Sequence, residues 1–375
     1  MTDPTQDLLP EGLEDRLPQS AAAATRIERA ILGVLGAHGY DRVRPPLIEF
    51  EQSMGHRMDG VKTRHMVRFV DPISLRTLAL RSDMTVQVGR IAATGLADAP
   101  RPLRLCYAGQ VARLLGDKLE PRRENLQIGA EIIGRDTVAA AGEVVELAIT
   151  ALEAAGAKGI SVDFTLPDLV DTLADGPLPL DARARARVTR ELDTKDAGGL
   201  VEAGGAAYLP LIHATGDFES AAAKLTALDS AGVLDTRIEG LRQIARRIDG
   251  RARLTLDPSE RHGFEYQSWF GFTLYAEGVR GELGRGGTYC IGGPGKREGA
   301  EPATGFSLYP EELVEAVKAA EPLGRRLFLP LDHDREAAAA LRGAGWRTVA
   351  ALDTDDDAAA LGCTHVLAAG EAQPL

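Results

Sequence analysis

The segment from Arg104 to Gly134 constrains the fold more than any other stretch of this 375-residue chain. Apolar and polar residues alternate over Arg104–Arg113 and again over Asn125–Ile133, which predicts two β-strands joined by a charged loop. One face of the second strand is apolar, and its other face carries Asn125, Gln127, Gly129 and Glu131. On the first strand, one face carries Tyr107, Gly109, Val111 and Arg113.

Two interpretations of these polar faces are open. Because Gly129 has no side chain, a small ligand could lie against the backbone there, bordered by the phenol of Tyr107 and the guanidinium of Arg113. The simpler interpretation is an antiparallel sheet with one solvated face. The alternation alone favours this simpler interpretation.

A second polar group precedes a predicted helix over Val86–Ala93. Ser82 or Asp83 is suited to cap that helix, because short polar side chains accept hydrogen bonds from the first backbone N–H groups. The alternative is that Asp83 and Thr85 point into a pocket and bind the ammonium group of a ligand. The pattern alone favours the cap.

Composition limits the class of protein. The formal net charge is −12, so the chain lacks the positive field with which nucleic-acid-binding proteins attract phosphates. The sequence has no apolar run near the roughly 20 residues that span a bilayer and no signal-peptide core, so we expect a cytosolic protein. Its cysteines and histidines show neither CxxC nor HExxH spacing, so no metal or cofactor is predicted.

Pattern changes along the chain predict three units. Strand and helix signals alternate over 1–166 and 251–322, which predicts one mixed α+β core. Segment 167–250 predicts helices alone, inserted between the two parts of that core. Segment 323–375 predicts a small α/β remnant. The glycine-rich stretch Gly284–Gly295 does not fit a phosphate-binding loop and is predicted to be a flexible hairpin connection.

Three motifs give the chain a resemblance to class II histidyl-tRNA synthetases, from Leu9 to about Ala320. Gly39–Glu49 (GYDRVRPPLIE) resembles motif 1, the segment from Arg104 to Gly134 resembles motif 2, and Thr288–Leu313 resembles a degenerate motif 3. The resemblance implies an antiparallel sheet flanked by helices, with the helical insertion of that family. It also implies a homodimer formed through the motif 1-like element.

The departures from the synthetase pattern lie where that family handles ATP. Motif 2 of the family runs Phe-Arg-x-Glu, whereas this chain has Ala-Arg-Leu-Leu ending at Leu115. Glu312 stands where the family has the arginine of motif 3, and Trp269 stands where an arginine stabilises the reacting carboxyl group. Adenylyl transfer depends on positioned cations, so the resemblance implies that this chemistry is lost.

The amino-acid side of the synthetase pocket is retained. The positions that match the family's histidine-binding residues are Asp83, Thr85, Arg113, Gln127, Glu131 and Tyr266. Further candidates at the same site are Tyr107, Glu265 and Tyr289. Free histidine requires an anion for its ammonium, a cation for its carboxylate, and a carboxylate with a phenol for its imidazole, and these side chains supply all of them. The resemblance therefore reverses the earlier preference and favours a ligand role for Asp83, Gln127 and Glu131.

A histidine site without ATP chemistry resembles the regulatory-subunit family of short-form ATP phosphoribosyltransferase. That resemblance implies a non-catalytic protein that joins the short catalytic subunit in a hetero-octamer. It also implies that the protein is needed for full activity in the first step of histidine biosynthesis and conveys feedback inhibition by histidine. Two alternatives are a divergent histidyl-tRNA synthetase, which would need ATP, and a synthetase paralogue that binds RNA or a carrier protein. The residues in the ATP motifs argue against the first, and the acidic charge argues against the second.

Overall fold

The two strands predicted between Arg104 and Gly134 lie inside a nine-stranded sheet in the computed structural model. The structure describes residues 8–55, 66–115, 121–261, 267–292, 300–318 and 325–375. The chain separates into two compact units, Met1–Glu315 and Ala316–Leu375. Within the described residues, every helix is too short or too polar to cross a membrane.

The strands in chain order are β1 (Asp41–Arg42), β2 (Ile48–Phe50), β3 (Arg68–Val70), β4 (Thr77–Leu80), β5 (Leu103–Ala112), β6 (Glu124–Ile133), β7 (Ser161–Thr165), β8 (Gly216–Asp217), β9 (Arg253–Leu256), β10 (Gln267–Tyr275), β11 (Gly284–Ile291), β12 (Glu301–Leu308), β13 (Arg326–Leu329), β14 (Arg347–Ala350), β15 (His365–Ala368) and β16 (Glu371–Pro374). The helices are α1 (Pro18–Ala37), α2 (Glu51–Gly55), α3 (Thr85–Ala93), α4 (Val138–Ala154), α5 (Leu169–Ala174), α6 (Ala182–Asp193), α7 (Ala197–Glu202), α8 (Phe218–Leu228), α9 (Asp235–Arg247), α10 (Glu311–Lys318) and α11 (Arg335–Gly343).

The large sheet runs in the order β1-β5-β6-β12-β11-β10-β7-β9-β8. Its six central strands, from β5 to β7, pair antiparallel, and parallel pairs occur only near its two edges, at β1–β5 and β7–β9. A separate three-stranded sheet has the order β2-β4-β3. This confirms the predicted α+β class with an antiparallel sheet flanked by helices.

Helices cover one face of the large sheet. The apolar stripe of α1 buries Ile27, Ile31 and Leu35, and α4 is buried along most of its length between α1, α9 and the sheet. Arg104, on the face of β5 opposite to Tyr107, forms an ion pair with Glu143 of α4. The faces are therefore distinct, and the face that carries Tyr107 and Glu131 is turned away from α4.

The glycine-rich stretch is the main correction to the sequence analysis. Gly284–Gly295 was expected to be a flexible connection, but its first eight residues form β11, a strand between β10 and β12. A Cβ at Gly286 would lie 2.4 Å from the carbonyl oxygen of Gly305 and 2.6 Å from the Phe272 ring. Close packing against the neighbouring strands thus explains the glycine. Residues 293–299 lie outside the described residues.

Segment 167–250 contains helices α5 to α9, a 3-10 helix over Ala206–His213 and the short strand β8. The helices agree with the helical content predicted for this segment, but β8 was not predicted, because two residues are too few to show alternation. β8 joins the edge of the large sheet beside β9. The limits of a separate insertion domain remain a prediction.

The second unit is a four-stranded sheet of order β14-β13-β15-β16 with helix α11. The first three strands are parallel and β16 is antiparallel to β15. Its small core consists of Leu327, Leu329, Ala338 and Leu367. The predicted α/β character of this segment is confirmed, although β16 was missed.

Candidate functional site

Three neighbouring strands bring the polar residues of the site together. β6 lies between β5 and β12, and the register places Tyr107, Gly129 and Ser307 directly opposite one another. Glu131, two residues after Gly129 on β6, lies opposite Gly305 of β12. Residues directly opposite in a sheet share a face, so these side chains meet on the face turned away from α4.

Glu131 is the most deeply buried acid of this face, with 1% of its surface exposed. Its two carboxylate oxygens accept hydrogen bonds from the phenols of Tyr107, at 2.9 Å, and Tyr289, at 2.7 Å. Burial raises the pKa of Glu131 to about 8, and the two phenol hydrogen bonds act in the opposite direction. The carboxylate needs the bare backbone of Gly305, because a Cβ there would lie 1.7 Å from its Oε2 atom.

Gln127 connects this acid to the start of α3. Its amide oxygen accepts a hydrogen bond from the backbone N–H of Met84 at 2.8 Å, which fixes the orientation of the amide. Its Nε2 group donates to the Asp83 carboxylate at 2.8 Å and to the Ser307 hydroxyl at 2.7 Å. Both amide hydrogens are therefore used, and Gln127 is fully buried.

Asp83 and Thr85 lie where the start of α3 meets the polar side chains of the sheet. The Asp83 carboxylate accepts the backbone N–H of Thr85, the first residue of α3, at 2.9 Å, but the N-cap position belongs to Met84 rather than to the predicted Ser82 or Asp83. The Thr85 hydroxyl lies 3.0 Å from the Tyr107 phenol oxygen, inside the polar cluster. We refer to the connected side chains as the buried network, which consists of Asp83, Thr85, Tyr107, Gln127, Glu131, Tyr289 and Ser307.

The space over Gly129 is not a gap in the sheet. A Cβ at Gly129 would lie 2.4 Å from the Tyr107 ring, so the glycine makes room for this phenol rather than for a ligand against the backbone. Tyr107, a secondary candidate in the sequence, is thereby the central member of the buried network. Burial, followed by the nearby Glu131 carboxylate, raises the pKa of Tyr107 well above its usual value.

Of the three remaining candidates, Arg113 alone lies within the described residues, and it is not a member of the buried network. Arg113 is exposed just beyond the end of β5, where its backbone N–H bonds the carbonyl oxygen of Arg123 at 2.8 Å. Tyr266 and Glu265 lie outside the described residues. The Trp269 indole lies 3.4 Å from the Cβ position of Gly240 in α9 and donates to Asp136 at 2.9 Å, so it packs against the helix layer.

The acidic residues at the start of α10 are held by arginines. Glu312 accepts from Arg122 at 2.6 Å, and the same guanidinium lies 3.2 Å from Glu14 of the N-terminal segment. The buried Glu311 accepts from Arg16 at 2.6 Å, and burial raises its pKa. Glu312, which the sequence resemblance matches to the arginine of motif 3, is thus a carboxylate within an ion-pair cluster.

Sequence reasoning missed Ser307 of β12 and Tyr309, the residue that directly follows this strand. Burial and the nearby Asp83 carboxylate raise the pKa of Tyr309 to about 12. The alternation Gly305, Ser307, Tyr309 in a predicted strand was the available signal, but the sequence does not reveal which strand pairs with β6. Both were therefore left out of the candidate list.

The buried network is a polar hydrogen-bonding site with a carboxyl group at each end. Asp83 and Glu131 supply carboxylates at its two ends, and phenols, hydroxyls and one amide lie between them. Such a set suits a small ligand with an ammonium group and a ring nitrogen. Within the described residues, no cluster of His, Cys, Asp and Glu has the arrangement of a metal site.

Comparison with known proteins first defines the class. The sequence profile of the family described as histidyl-tRNA synthetase matches residues 12–313. The structure superposes on a Bacillus halodurans protein titled ATP phosphoribosyltransferase regulatory subunit/histidyl-tRNA synthetase with a TM-score of 0.77, 23% identity and coverage of 96% of this chain and 97% of that one. Histidyl-tRNA synthetase from Nostoc sp. PCC 7120 gives a TM-score of 0.76 at 14% identity, covering 96% and 91%. These neighbours establish the fold of a class II synthetase core.

Relatives of known name then define the group. The ATP phosphoribosyltransferase regulatory subunit of Rhodospirillum centenum is 41% identical, over 99% of this chain and 97% of its own length. The protein of the same name from Paramagnetospirillum magneticum is 40% identical, over 96% of each chain. The chain belongs to the family of ATP phosphoribosyltransferase regulatory subunits, within the histidyl-tRNA synthetase fold. Its partner is accordingly a catalytic ATP phosphoribosyltransferase.

Proposed function

We propose that this regulatory subunit binds free histidine at the buried network and conveys feedback inhibition to the catalytic subunit, in the first step of histidine biosynthesis. The observation that carries the proposal is the unbroken series of hydrogen bonds from Asp83 through Gln127, Ser307 and Tyr107 to Glu131. This series of hydrogen bonds holds two carboxyl groups apart, one at each end. Histidine has an ammonium group at one end and an imidazole N–H at the other, so each end could donate to one of them.

Each end of histidine has a counterpart in this proposal. The ammonium group would bind Asp83 and the Thr85 hydroxyl at the start of α3, and an imidazole N–H would donate to Glu131 in exchange for one of the phenols. Arg113, exposed at the end of β5, would meet the carboxylate at the mouth of the site. Tyr266 and Glu265 remain candidates for the ring. The contact between the ammonium group and Asp83 would be charge-assisted and therefore stronger than a neutral hydrogen bond. The site would thus favour histidine over neutral analogues.

The proposal includes a non-catalytic role for the chain itself. Leu115, Trp269 and Glu312 stand at positions where the synthetase pattern has groups that handle ATP. The ion pair of Glu312 with Arg122 supports the non-catalytic role, because a guanidinium that is paired with a carboxylate is less available to bind a triphosphate. We therefore expect no histidine-dependent pyrophosphate exchange by the purified chain. Robust exchange would favour a divergent synthetase instead.

Regulation in this proposal is a coupling between two sites. The chain would form a homodimer through its motif 1-like element, over Gly39–Glu49, and a hetero-octamer with the short catalytic subunit. If histidine binds one state of the complex more tightly, the active site of the partner must respond reciprocally. A coupling of about 1–3 kcal/mol is typical of allosteric proteins and would suffice.

Calorimetry with histidine tests the site. We expect Glu131→Gln and Asp83→Ala each to weaken histidine binding at least about tenfold. Asp83→Ala removes a hydrogen-bond acceptor, and Glu131→Gln replaces an oxygen that accepts a phenol hydrogen with an NH2 donor. The matched controls are Glu124→Gln, an exposed position of the same strand, and Asp98→Ala, an exposed position after α3. Both controls should leave the affinity unchanged. Equal histidine affinity in all four variants and the wild type would show that the site lies elsewhere.

Co-expression with the short catalytic subunit tests the regulatory role. Activity of the complex should require this chain and should fall when histidine is added. In complexes that carry Glu131→Gln or Asp83→Ala, activity should persist at histidine concentrations that inhibit the wild-type complex. A wild-type complex that is active but indifferent to histidine would contradict the feedback role while leaving the family assignment in place.

A further inference from the structure

Ser307 occupies the middle of the buried network, and the synthetase resemblance gives it no role. The residue lies on β12, 2% exposed, directly opposite Gly129. Its hydroxyl oxygen lies 2.7 Å from Gln127 Nε2 and 3.0 Å from the phenol oxygen of Tyr107. It is therefore the point at which the half of the network that contains Asp83 joins the half that contains Glu131.

Counting hydrogens sets the direction of these bonds. Gln127 Nε2 can only donate, so the Ser307 oxygen accepts from it, and the hydroxyl hydrogen of Ser307 is left to donate. Tyr107 directs its single hydrogen to Glu131, so its oxygen is an acceptor for Ser307 and for Thr85. These contacts allow donation to run from Gln127 through Ser307 and Tyr107 to Glu131, and the Tyr309 phenol is a second neighbour of the Ser307 hydroxyl.

We propose that Ser307 is a positioning residue of this site, whose hydroxyl joins its two ends and directs hydrogen-bond donation toward Glu131. The inference rests on the proposed function, in which histidine is the ligand that bridges those ends. Gly305, on the same strand, supports the inference, because its lack of a side chain leaves room for the Glu131 carboxylate, which is the last acceptor of the series. β12 thereby contributes both the space for Glu131 and the orientation of its phenol donor.

Loss of the hydroxyl would disturb both ends at once. Without Ser307 as acceptor, one Nε2 hydrogen of the fully buried Gln127 has no acceptor, so the amide no longer holds Asp83 in place as firmly. Tyr107 loses one of its two donors, and its phenol is less restricted to Glu131. Both consequences reduce histidine binding, although Ser307 itself need not touch the ligand.

Calorimetry with histidine on the full chain tests the role of the hydroxyl. Ser307→Ala should weaken binding about tenfold, since leaving a buried polar group without its partner costs on the order of 1 kcal/mol or more. Ser307→Thr retains the hydroxyl and should bind within about threefold of the wild type. Thr304→Val is the matched control, because it removes a buried hydroxyl on the opposite face of the same strand and should change the affinity less than twofold. If Ser307→Ala fails to fold, Ser307→Cys, with a weak donor of similar size, should show the same weakening.

A double-mutant cycle separates positioning from a general structural effect. In the Tyr107→Phe background the phenol through which Ser307 acts on Glu131 is absent, so Ser307→Ala should cost clearly less than in the wild type, about threefold or below. An equal cost in both backgrounds, or wild-type affinity in Ser307→Ala, would overturn the inference while histidine binding itself stands. Absence of histidine binding by the wild-type chain would instead remove the proposed function and this inference with it.

Discussion

At the scale of single residues, Glu131 shows how burial brings the pKa of a glutamate close to neutral pH. Its carboxylate is satisfied by two phenols, yet its pKa is raised to about 8 because burial outweighs those hydrogen bonds. An ordinary glutamate in an unfolded chain has a pKa near 4.3. The folded protein therefore binds a proton at this position over a pH range in which the unfolded chain has released it.

This difference predicts a pH-dependent stability. A proton bound only in the folded state means that the free energy of unfolding falls as pH rises, here between about pH 5 and pH 8, by up to about 1.4 kcal/mol per pH unit. Glu131→Gln has no proton to release, so its stability should fall less steeply over this range. Urea unfolding of both proteins at pH 5.5 and pH 8.0 measures the effect. Parallel pH dependence in the two proteins would contradict the raised pKa.

Some residues of the site could be predicted from the sequence and others could not, for a physical reason. Asp83, Gln127 and Glu131 stand in motifs that could be matched one by one, and the structure brings them together. Ser307 lies 180 positions from Gln127 along the chain. A contact of that separation depends on which strands become neighbours, and local alternation carries no information on strand order.

At the scale of elements, strands and helices with strong periodicity were predicted closely, and a strand rich in glycine was not. The bounds of β5, β6 and α3 lie within one residue of those predicted. The sequence predicts a connection in place of β11, because glycine is usually unfavourable inside a strand. In this sheet the glycines of β11 and β12 relieve crowding from Phe272, Leu308 and Glu131, a property of the packed sheet that its sequence alone does not display.

Glycine substitutions test this account of the sheet. Gly305→Ala should lower the free energy of unfolding by at least about 2 kcal/mol, because its Cβ would meet Glu131 at 1.7 Å and the carbonyl oxygen of Ala130 at 2.5 Å. Gly33→Ala, in the middle of α1 with no atom within 4 Å of the added Cβ, should stabilise the protein by up to about 1 kcal/mol. Chemical denaturation of both variants measures the contrast, and equal effects would refute the packing argument.

At the scale of the whole molecule, resemblance carried more information than composition. The net charge of −12 argued against nucleic-acid binding, but it named no partner. Similarity along nearly the full chain placed the protein among ATP phosphoribosyltransferase regulatory subunits. The fold class was predictable for the same reason, whereas the domain limits and the surface that meets the catalytic subunit depend on packing that local patterns do not encode.

The proposed regulation through this site makes a quantitative prediction for the assembled protein. The factor by which the catalytic subunit changes histidine affinity must equal the factor by which saturating histidine changes the affinity between the subunits. We expect a factor of about 5 to 150, the usual range of allosteric coupling. Titrating histidine into the chain alone and into the preformed complex gives the first factor, and titrating the catalytic subunit with and without histidine gives the second. Unchanged histidine affinity in the complex would contradict coupling through this site.

The buried network is assembled from residues as far apart in the chain as Asp83 and Ser307, so it exists only while the sheet is intact. Any small molecule that binds the network must therefore stabilise the folded protein relative to partly unfolded forms. The stabilisation is about 2.7 kcal/mol when its concentration is a hundredfold above the dissociation constant. In a cell this would lengthen the lifetime of the subunit against proteases whenever that molecule is plentiful. The supply of the effector would then set the amount of the sensor as well as its state.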